Sequence, residues 1–308
     1  MQLNECTIVS GLLDDGIFLF KNGDGPTLYS HEIFHRIIDG TEIAYYSNAN
    51  GWCEGITEHG IAMVYAYYTK HINVNDKYEP KGKSESPEHD DINLEYLSKK
   101  GENFLDILLS KDTSEMLKKI EKYHWTGTYQ ITDKDHVYDV EFFDDTIKYK
   151  ELHFNKNFKY NVKTNHGIMI PDAGQLNVHG NIRRADSEIR RYSAHKYLMG
   201  YKDYMDIIKR MSFQEFDKNS PLNVFRTDEY EKTTCQSLYD MKNLTYYFIF
   251  YDDNAKFKGI INKLPKDYEP KIKIEILDRK DLYKNTWFKF KDLFHGNNLF
   301  QDVKLDNA

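Results

Sequence analysis

Residues 6–24 read Cys6-Thr7-Ile8-Val9-Ser10-Gly11-Leu12-Leu13-Asp14-Asp15-Gly16-Ile17-Phe18-Leu19-Phe20-Lys21-Asn22-Gly23-Asp24. Two short β-type runs flank Asp14-Asp15-Gly16. Apolar runs on either side of an Asp-Gly turn predict a β-hairpin. The second strand of such a hairpin carries Lys21 and Asp24 back towards Cys6. Cys6 itself has two readings. One is a small buried hydrophobe at the start of a strand. The other is a nucleophile.

The second reading has a specific chemistry. Cutting the peptide bond before Cys6 would leave a thiol and a free α-amine on one residue. An α-amine titrates at roughly 7.7–8.0, so part of it is neutral near neutral pH and can accept the thiol proton. The residue then supplies its own base, as in the pairing of a threonine with an N-terminal amine. Residues 1–5 have neither the basic start nor the apolar run of a secretory signal. They are expected to be a short propeptide, with residues 6–308 forming one domain.

Three later stretches matter. Gly51-Trp52-Cys53-Glu54-Gly55-Ile56-Thr57-Glu58-His59-Gly60 leads into Ile61-Ala62-Met63-Val64-Tyr65-Ala66-Tyr67-Tyr68. This reads as strand, turn, strand, with Gly60 in the turn; taken alone it is a buried hairpin, and Cys53 is a core residue. Asn161-Val162-Lys163-Thr164-Asn165-His166-Gly167 closes another strand. If that segment is extended, His166 points away from Asn165 and reads as structural, not as a general base. Residues 186–198, from Asp186-Ser187-Glu188-Ile189-Arg190-Arg191 onwards, read as a helix capped by Asp186 or Ser187. A solvated helix arginine fits Arg191 better than Arg190.

In this order the four motifs resemble those of the N-terminal-nucleophile (Ntn) hydrolases, in the branch that contains penicillin acyltransferase and the choloylglycine hydrolases. The resemblance runs from Cys6 to about Phe250. Lys21-Asn22-Gly23-Asp24 departs from the family's Arg-Asn-x-Asp at Lys21 and from its Lys-Asn-Arg-Asp at Gly23. Thr57 stands where the family pattern has Asn. The resemblance implies an α+β fold, a four-layer αββα sandwich of two antiparallel sheets. It implies Cys6 as the nucleophile and Asp24 as the anchor of its amine. The oxyanion donors would be the Asn165 side chain and the Tyr67 amide. An oxyanion hole needs donors fixed before reaction, so that the anion is stabilised without reorganisation. Arg190 would lie near the nucleophile, where a guanidinium can lower a thiol pKa or hold a substrate carbonyl or carboxylate. Lys21 and Tyr68 are the expected substrate contacts. The implied activity is autocatalytic processing followed by cleavage of a linear carbon–nitrogen amide bond in a small N-acyl substrate. An acyl-enzyme on Cys6 is the intermediate, and transfer of the same acyl group to an amine is the alternative. No cofactor and no metal is implied.

Composition narrows the partners. The chain has 308 residues and a formal net charge of −7, which argues against general nucleic-acid binding. The Lys-rich tail from Lys256 has acids interleaved and reads as a solvated face. Three cysteines form an odd, sparse set that fits a reducing compartment, so a cytoplasmic protein is expected. No run approaches the ~18 apolar residues of a membrane span. The expected partner is a small amide or acyl substrate, without nucleic acid or membrane; homo-oligomerisation is left open.

Two other classes of function are written in the chain. His31-Glu32-Ile33-Phe34-His35 carries the His-Glu-x-x-His pattern of zinc peptidases. The bland reading of the same residues is a surface segment with two solvated histidines. A binding protein that keeps the fold without turnover is the other class, in view of Glu5, Lys21 and Thr57. Elsewhere, residues 71–100 are expected to be a flexible exposed loop. Residues 102–123 read as two helical pieces with Thr113 or Ser114 as a cap. Residues 127–152 read as three strands, Tyr204 to Met211 as a short helix, and residues 233–250 as a strand pair. Residues 255–308, with an amphipathic piece over 281–300, are a C-terminal extension without a functional signal.

Overall fold

The hairpin forms. β1 (Thr7–Leu13) runs antiparallel to β2 (Gly16–Gly25), with Leu13 opposite Gly16 and Thr7 opposite Asn22. Asp14 takes a φ of 48° in the turn, a left-handed conformation that Asp tolerates. The computed structural model describes residues 6–14, 16–25, 30–48, 53–68, 94–174, 182–212, 223–226, 232–250 and 256–278.

After the hairpin come β3 (Ser30–Ile38), β4 (Thr41–Asn48), β5 (Cys53–Thr57) and β6 (Ala62–Tyr67). Two helices follow, α1 (Leu94–Leu108) and α2 (Thr113–Tyr123). Then come β7 (Gly127–Thr132), β8 (Val137–Phe143), β9 (Thr146–Glu151) and β10 (Tyr160–Lys163). Helices α3 (Ile182–Leu198) and α4 (Tyr204–Met211) precede β11 (Lys232–Asp240) and β12 (Thr245–Phe250). The last strands are β13 (Lys256–Asn262) and β14 (Lys273–Asp278). Among the described residues the strands make two sheets. One has six strands in the order β10-β1-β2-β11-β12-β14, the other eight in the order β13-β3-β4-β5-β6-β7-β8-β9.

Strand alternation builds the layers. From the six-stranded sheet, Ile8, Leu19, Tyr239 and Phe248 belong to the core shared with the larger sheet. Tyr46 of β4 stacks on Phe248 of β12 across that core, with ring centroids 5.8 Å apart. Val9, Phe18, Phe20, Leu238 and Ile249 point the other way, into a second core with Ala194, Leu198, Ile207 and Ile208 of α3 and α4. On the far side of the larger sheet, Phe104 of α1 meets Tyr65 of β6 at 5.2 Å and Tyr129 of β7 at 6.4 Å between centroids. The result is four layers, αββα. No helix among the described residues is long and apolar enough to cross a membrane.

Several sequence expectations are corrected here. The sheets are mixed, not purely antiparallel, because β13 pairs parallel with β3 and β14 parallel with β12. The C-terminal extension therefore adds a strand to each sheet. Between those strands it docks on Glu42, a wholly buried carboxylate. Lys271 N and Ile272 N each donate to Glu42 at 2.9 Å, and Tyr268 OH donates at 3.0 Å. The region read as a loop over 71–100 ends in helix from Leu94, and residues 71–93 lie outside the described residues, as do 281–300. The cap of α2 is Asp112, whose side chain accepts from Glu115 N, not Thr113 or Ser114. The helix α3 begins at Ile182, ahead of both residues expected to cap it.

The His-Glu-x-x-His segment is a strand, not a helix: β3 is pinned between β4 and β13. In a strand, residues four apart are about 13 Å apart, too far to share a zinc ion. His35 is buried, not solvated, and its Nε2 bonds Glu42 Oε1 at 2.8 Å. This overturns both the zinc reading and the solvated one for His35.

Candidate active site

Cys6 sits just before β1 and is wholly buried. Its N–H donates to Asn165 Oδ1 at 2.7 Å. Its carbonyl accepts from Arg190 Nη1 at 3.4 Å. Burial pushes the thiol up, Lys21 pulls it down, Asp24 and Glu54 act on it with their charge, and a hydrogen bond from the Asp24 backbone pulls it down; it ends at about 11. At neutral pH the sulfur is a thiol, so attack on a carbonyl requires a base.

Lys21 reaches across from β2 to Glu54 on β5, and the two form an ion pair that joins the sheets. Burial pushes the Lys21 ammonium down, but Cys6 and Glu54 outweigh it and hold Lys21 above its ordinary value. Glu54 is almost wholly buried. Burial pushes its carboxyl up, and Lys21 only partly offsets this. Sequence reasoning missed Glu54, because its burial and its partner appear only in the folded chain. In the strand Cys53-Glu54-Gly55-Ile56-Thr57 every residue is buried, and an acid inside such a strand requires a cationic partner.

Asn165 follows β10. Its Nδ2 donates to Tyr67 O at 2.9 Å, so the carboxamide bridges the Cys6 amide and the end of β6. A hydroxyl network sets its backbone. Asn165 N donates to Ser187 Oγ at 3.0 Å, Ser187 Oγ donates to Thr164 Oγ1 at 2.9 Å, and Thr164 Oγ1 donates to Ser187 O at 2.9 Å. His166 Nδ1 lies 2.9 Å from Ser187 Oγ. Burial, followed by the charges of Arg184, Arg191 and Arg190, pushes His166 down to about 3. It is neutral at physiological pH. With the hydroxyls directed as above, Nδ1 is the nitrogen that carries the proton. Ser187 was expected to cap a helix; it instead stands inside α3 and ties that helix to the Asn165 segment. The next residues are held by Glu141 of β8, whose carboxylate accepts from Ile168 N at 2.8 Å, Met169 N at 3.0 Å and Ile170 N at 2.8 Å.

Arg190 is wholly buried in α3. Besides the Cys6 carbonyl, Nη2 lies 3.4 Å from Asn165 Oδ1, Nε 3.3 Å from Asp186 Oδ2, and Nη1 3.9 Å from Asp24 Oδ2. Asp24 Oδ1 accepts from Thr233 Oγ1 at 2.6 Å. A β-bulge makes this possible: Thr233 faces Asp24 and Cys235 faces Gly23, with Thr234 as the extra residue. Arg191 is not a solvated arginine; its Nε donates to Val162 O at 3.0 Å.

Cys6, Asp24, Asn165 and Arg190 thus converge, with Tyr67 bonded to Asn165. Lys21 is the cation that acts most on the Cys6 thiol. Lys21 is buried against Glu54. Tyr68 is wholly buried in a small cluster with Phe143 and Ala173. Neither expected substrate contact lies at a surface, because a lysine between two sheets must be paired and Tyr68 turns inwards as β6 ends. Cys53 is buried as expected, and burial pushes its thiol up to about 12.

No protein-family model matches the chain, and no curated protein matches it. Among solved structures it is similar to the crystal structure of a mutant conjugated bile acid hydrolase from Clostridium perfringens. The TM-score is 0.39 and the identity 14%, over 80% of this chain and 89% of that one. At that score the likeness carries no weight beside the geometry of the site.

Proposed function

We propose that the chain is a cysteine amidohydrolase of the N-terminal-nucleophile type, matured by cutting the peptide bond before Cys6. The supporting observation is the 2.7 Å hydrogen bond from the Cys6 backbone nitrogen to Asn165 Oδ1, with Arg190 on the Cys6 carbonyl. These contacts hold the backbone of the cysteine itself. That is what a reaction using both the sulfur and the nitrogen of one residue needs.

In maturation the Cys6 sulfur adds to the preceding carbonyl carbon. A thioester C–S bond forms, the C–N bond breaks, and the nitrogen leaves as an α-amine carrying the thiol's proton. Water then cleaves the thioester to a carboxylate and restores the thiol. In turnover the amine lone pair takes the thiol proton. Asn165 Oδ1 keeps one amine hydrogen, which turns the lone pair towards sulfur. The Lys21 ammonium stabilises the forming thiolate. Sulfur attacks the substrate amide carbonyl. The oxyanion is held by the Tyr67 N–H and by the Asn165 carboxamide, which donates one hydrogen to Tyr67 O and the other to the anion. The leaving amine takes the proton back, and water releases the acid. Arg190 and Asp24 hold Cys6 in place. An amine in place of that water turns the same site into an acyltransferase.

Intact-mass measurement of the purified protein tests maturation. The wild-type chain is expected to begin at Cys6, and a Cys6→Ala variant to keep the preceding residues and lose amidase activity. A Cys6→Ala variant with full activity on an acyl-amide library would falsify the assignment.

A further inference from the structure

We propose that Glu141 is a positioning residue for the reaction: it ties the Asn165 segment to the sheet that carries Tyr67 and so fixes the spacing of the two oxyanion donors. This rests on the reading of Cys6 as the nucleophile and of Asn165 and Tyr67 as those donors. The two come from different sheets. Tyr67 ends β6 in the eight-stranded sheet, and Asn165 follows β10 in the six-stranded one. Pairing within a sheet does not set a distance between sheets, so contacts across the gap must.

Glu141 makes such contacts on both sides of Asn165. In its own sheet it lies level with the end of β6, since Ala66 pairs with Thr128 and Thr128 with Glu141. Across the gap its carboxylate pairs with Lys163, just before Asn165. Just after Asn165 it accepts from Ile168 N at 2.8 Å, Met169 N at 3.0 Å and Ile170 N at 2.8 Å. Glu141 and Lys163 are wholly buried, and Asp139 of the same strand β8 lies 3.3 Å from Lys163. Charge-assisted hydrogen bonds of this kind are the strong ones, and a buried carboxylate that gives them up finds no water to replace them. The loop beyond folds back on Asn165. Gly167 N donates to Ala173 O at 2.9 Å. Gly174 takes a φ of 76°, and a Cβ there would collide with Asn165 O. A shift of residues 168–170 is therefore passed to Asn165. Donors fixed before reaction stabilise an oxyanion without reorganisation, so their displacement costs rate.

The test uses mature full-length chains, made with a methionine directly before Cys6 for the host to remove and checked by intact mass. The probes are 4-nitrophenyl esters from acetate to decanoate. The readout is the single-turnover rate of Cys6 acylation, followed by acid quenching and intact mass. Glu141→Gln keeps the size and drops the charge; Glu141→Asp keeps the charge and drops the reach. Each is expected to acylate about ten- to hundredfold more slowly, with the ester concentration at half-maximal rate little changed. In an Asn165→Ala background the same substitutions are expected to cost less than about twofold, because their effect passes through Asn165. A further loss of about tenfold or more in that background overturns the inference, as does an unchanged rate in a folded variant. A wild-type rate on a smaller acylated fraction is a purely structural effect and overturns it too. Hydrogen exchange on the wild-type protein decides if neither variant folds. Protection of the Ile168, Met169 and Ile170 amides by about a hundredfold or more supports the inference, and exchange at the rate of an unstructured peptide overturns it. Absence of an adduct on Cys6 from every ester overturns the nucleophile assignment and the inference together.

Discussion

Cys6 and Asn165 are 159 positions apart and share one hydrogen bond, and two predictions belong to this pair. The first concerns pH. The Cys6 thiol is pushed up to about 11, whereas an α-amine titrates at roughly 7.7–8.0. The kcat/KM of the mature protein should rise with pH through the amine's range, as the base loses its proton, and level off below the thiol's own range. A rise that continues into the thiol's range would show the sulfur ionising without the amine. The second concerns the carboxamide. Asn165→Ala should lower kcat by about 10²–10³-fold, or about 2.7–4 kcal/mol of barrier, read in single-turnover kinetics. An unchanged kcat would remove Asn165 from the oxyanion hole. Cys6, Asp24, Asn165 and Arg190 could be singled out in the sequence as a proposed group because each sits in a short motif that resembles the family's. Glu54 and Thr233 were not, because their roles depend on a partner from another strand: Lys21 for Glu54 and Asp24 for Thr233.

At the scale of the element, the packing of β1, β2 and β11 sets what lies beside the nucleophile. Gly23 lies opposite Cys235 in the sheet. A Cβ on Gly23 would lie 2.9 Å from Cys235 Sγ, so the glycine makes room for that sulfur. Gly23→Ala should destabilise the protein by roughly 1–3 kcal/mol, the usual cost of overpacking, measured by urea denaturation. Adding Cys235→Ala should recover most of that loss, and failure to recover it would place the clash elsewhere. This gives a physical reason for Gly23 in Lys21-Asn22-Gly23-Asp24. Asn22, in the same motif, is buried and structural: its Nδ2 donates to Met211 O and Val224 O at 3.1 Å each, and its Oδ1 accepts from Gln236 Nε2 at 2.8 Å. The hairpin was readable because period-two alternation and an Asp-Gly turn are local signals. The helix α3 was misplaced by four residues because the polar residues at its expected start, Asp186 and Ser187, are used inside the helix, on Arg190 and on the Asn165 segment.

For the whole molecule, the C-terminal segment closes the sandwich by adding a strand to each sheet and covering Glu42. Burial pushes the Glu42 carboxyl up, but N–H groups from Lys271 and Ile272, with His35 and Tyr268, outweigh it and hold the group below its ordinary value. A carboxyl depressed in the folded chain stabilises the fold above its unfolded pKa, about 4.3, and that contribution is lost as pH falls through the folded value. Denaturant midpoints should therefore drop as pH falls below about 4.3, and Glu42→Gln should lower the neutral midpoint and shrink the drop. An equal drop in the variant would assign the acid sensitivity to other groups. By itself the sequence determined the hairpins and the order of strands and helices along most of the chain, which follow from side chains within a few positions of one another; the residues proposed to carry the chemistry came from the resemblance of its motifs. Only the tertiary structure decided that His31-Glu32-Ile33-Phe34-His35 is a strand, that the tail joins both sheets in parallel, and that Lys21 is neutralised by Glu54. The reason is that a strand's neighbours and a buried ion's partner come from distant segments, and their free energy exists only once the two sheets face each other.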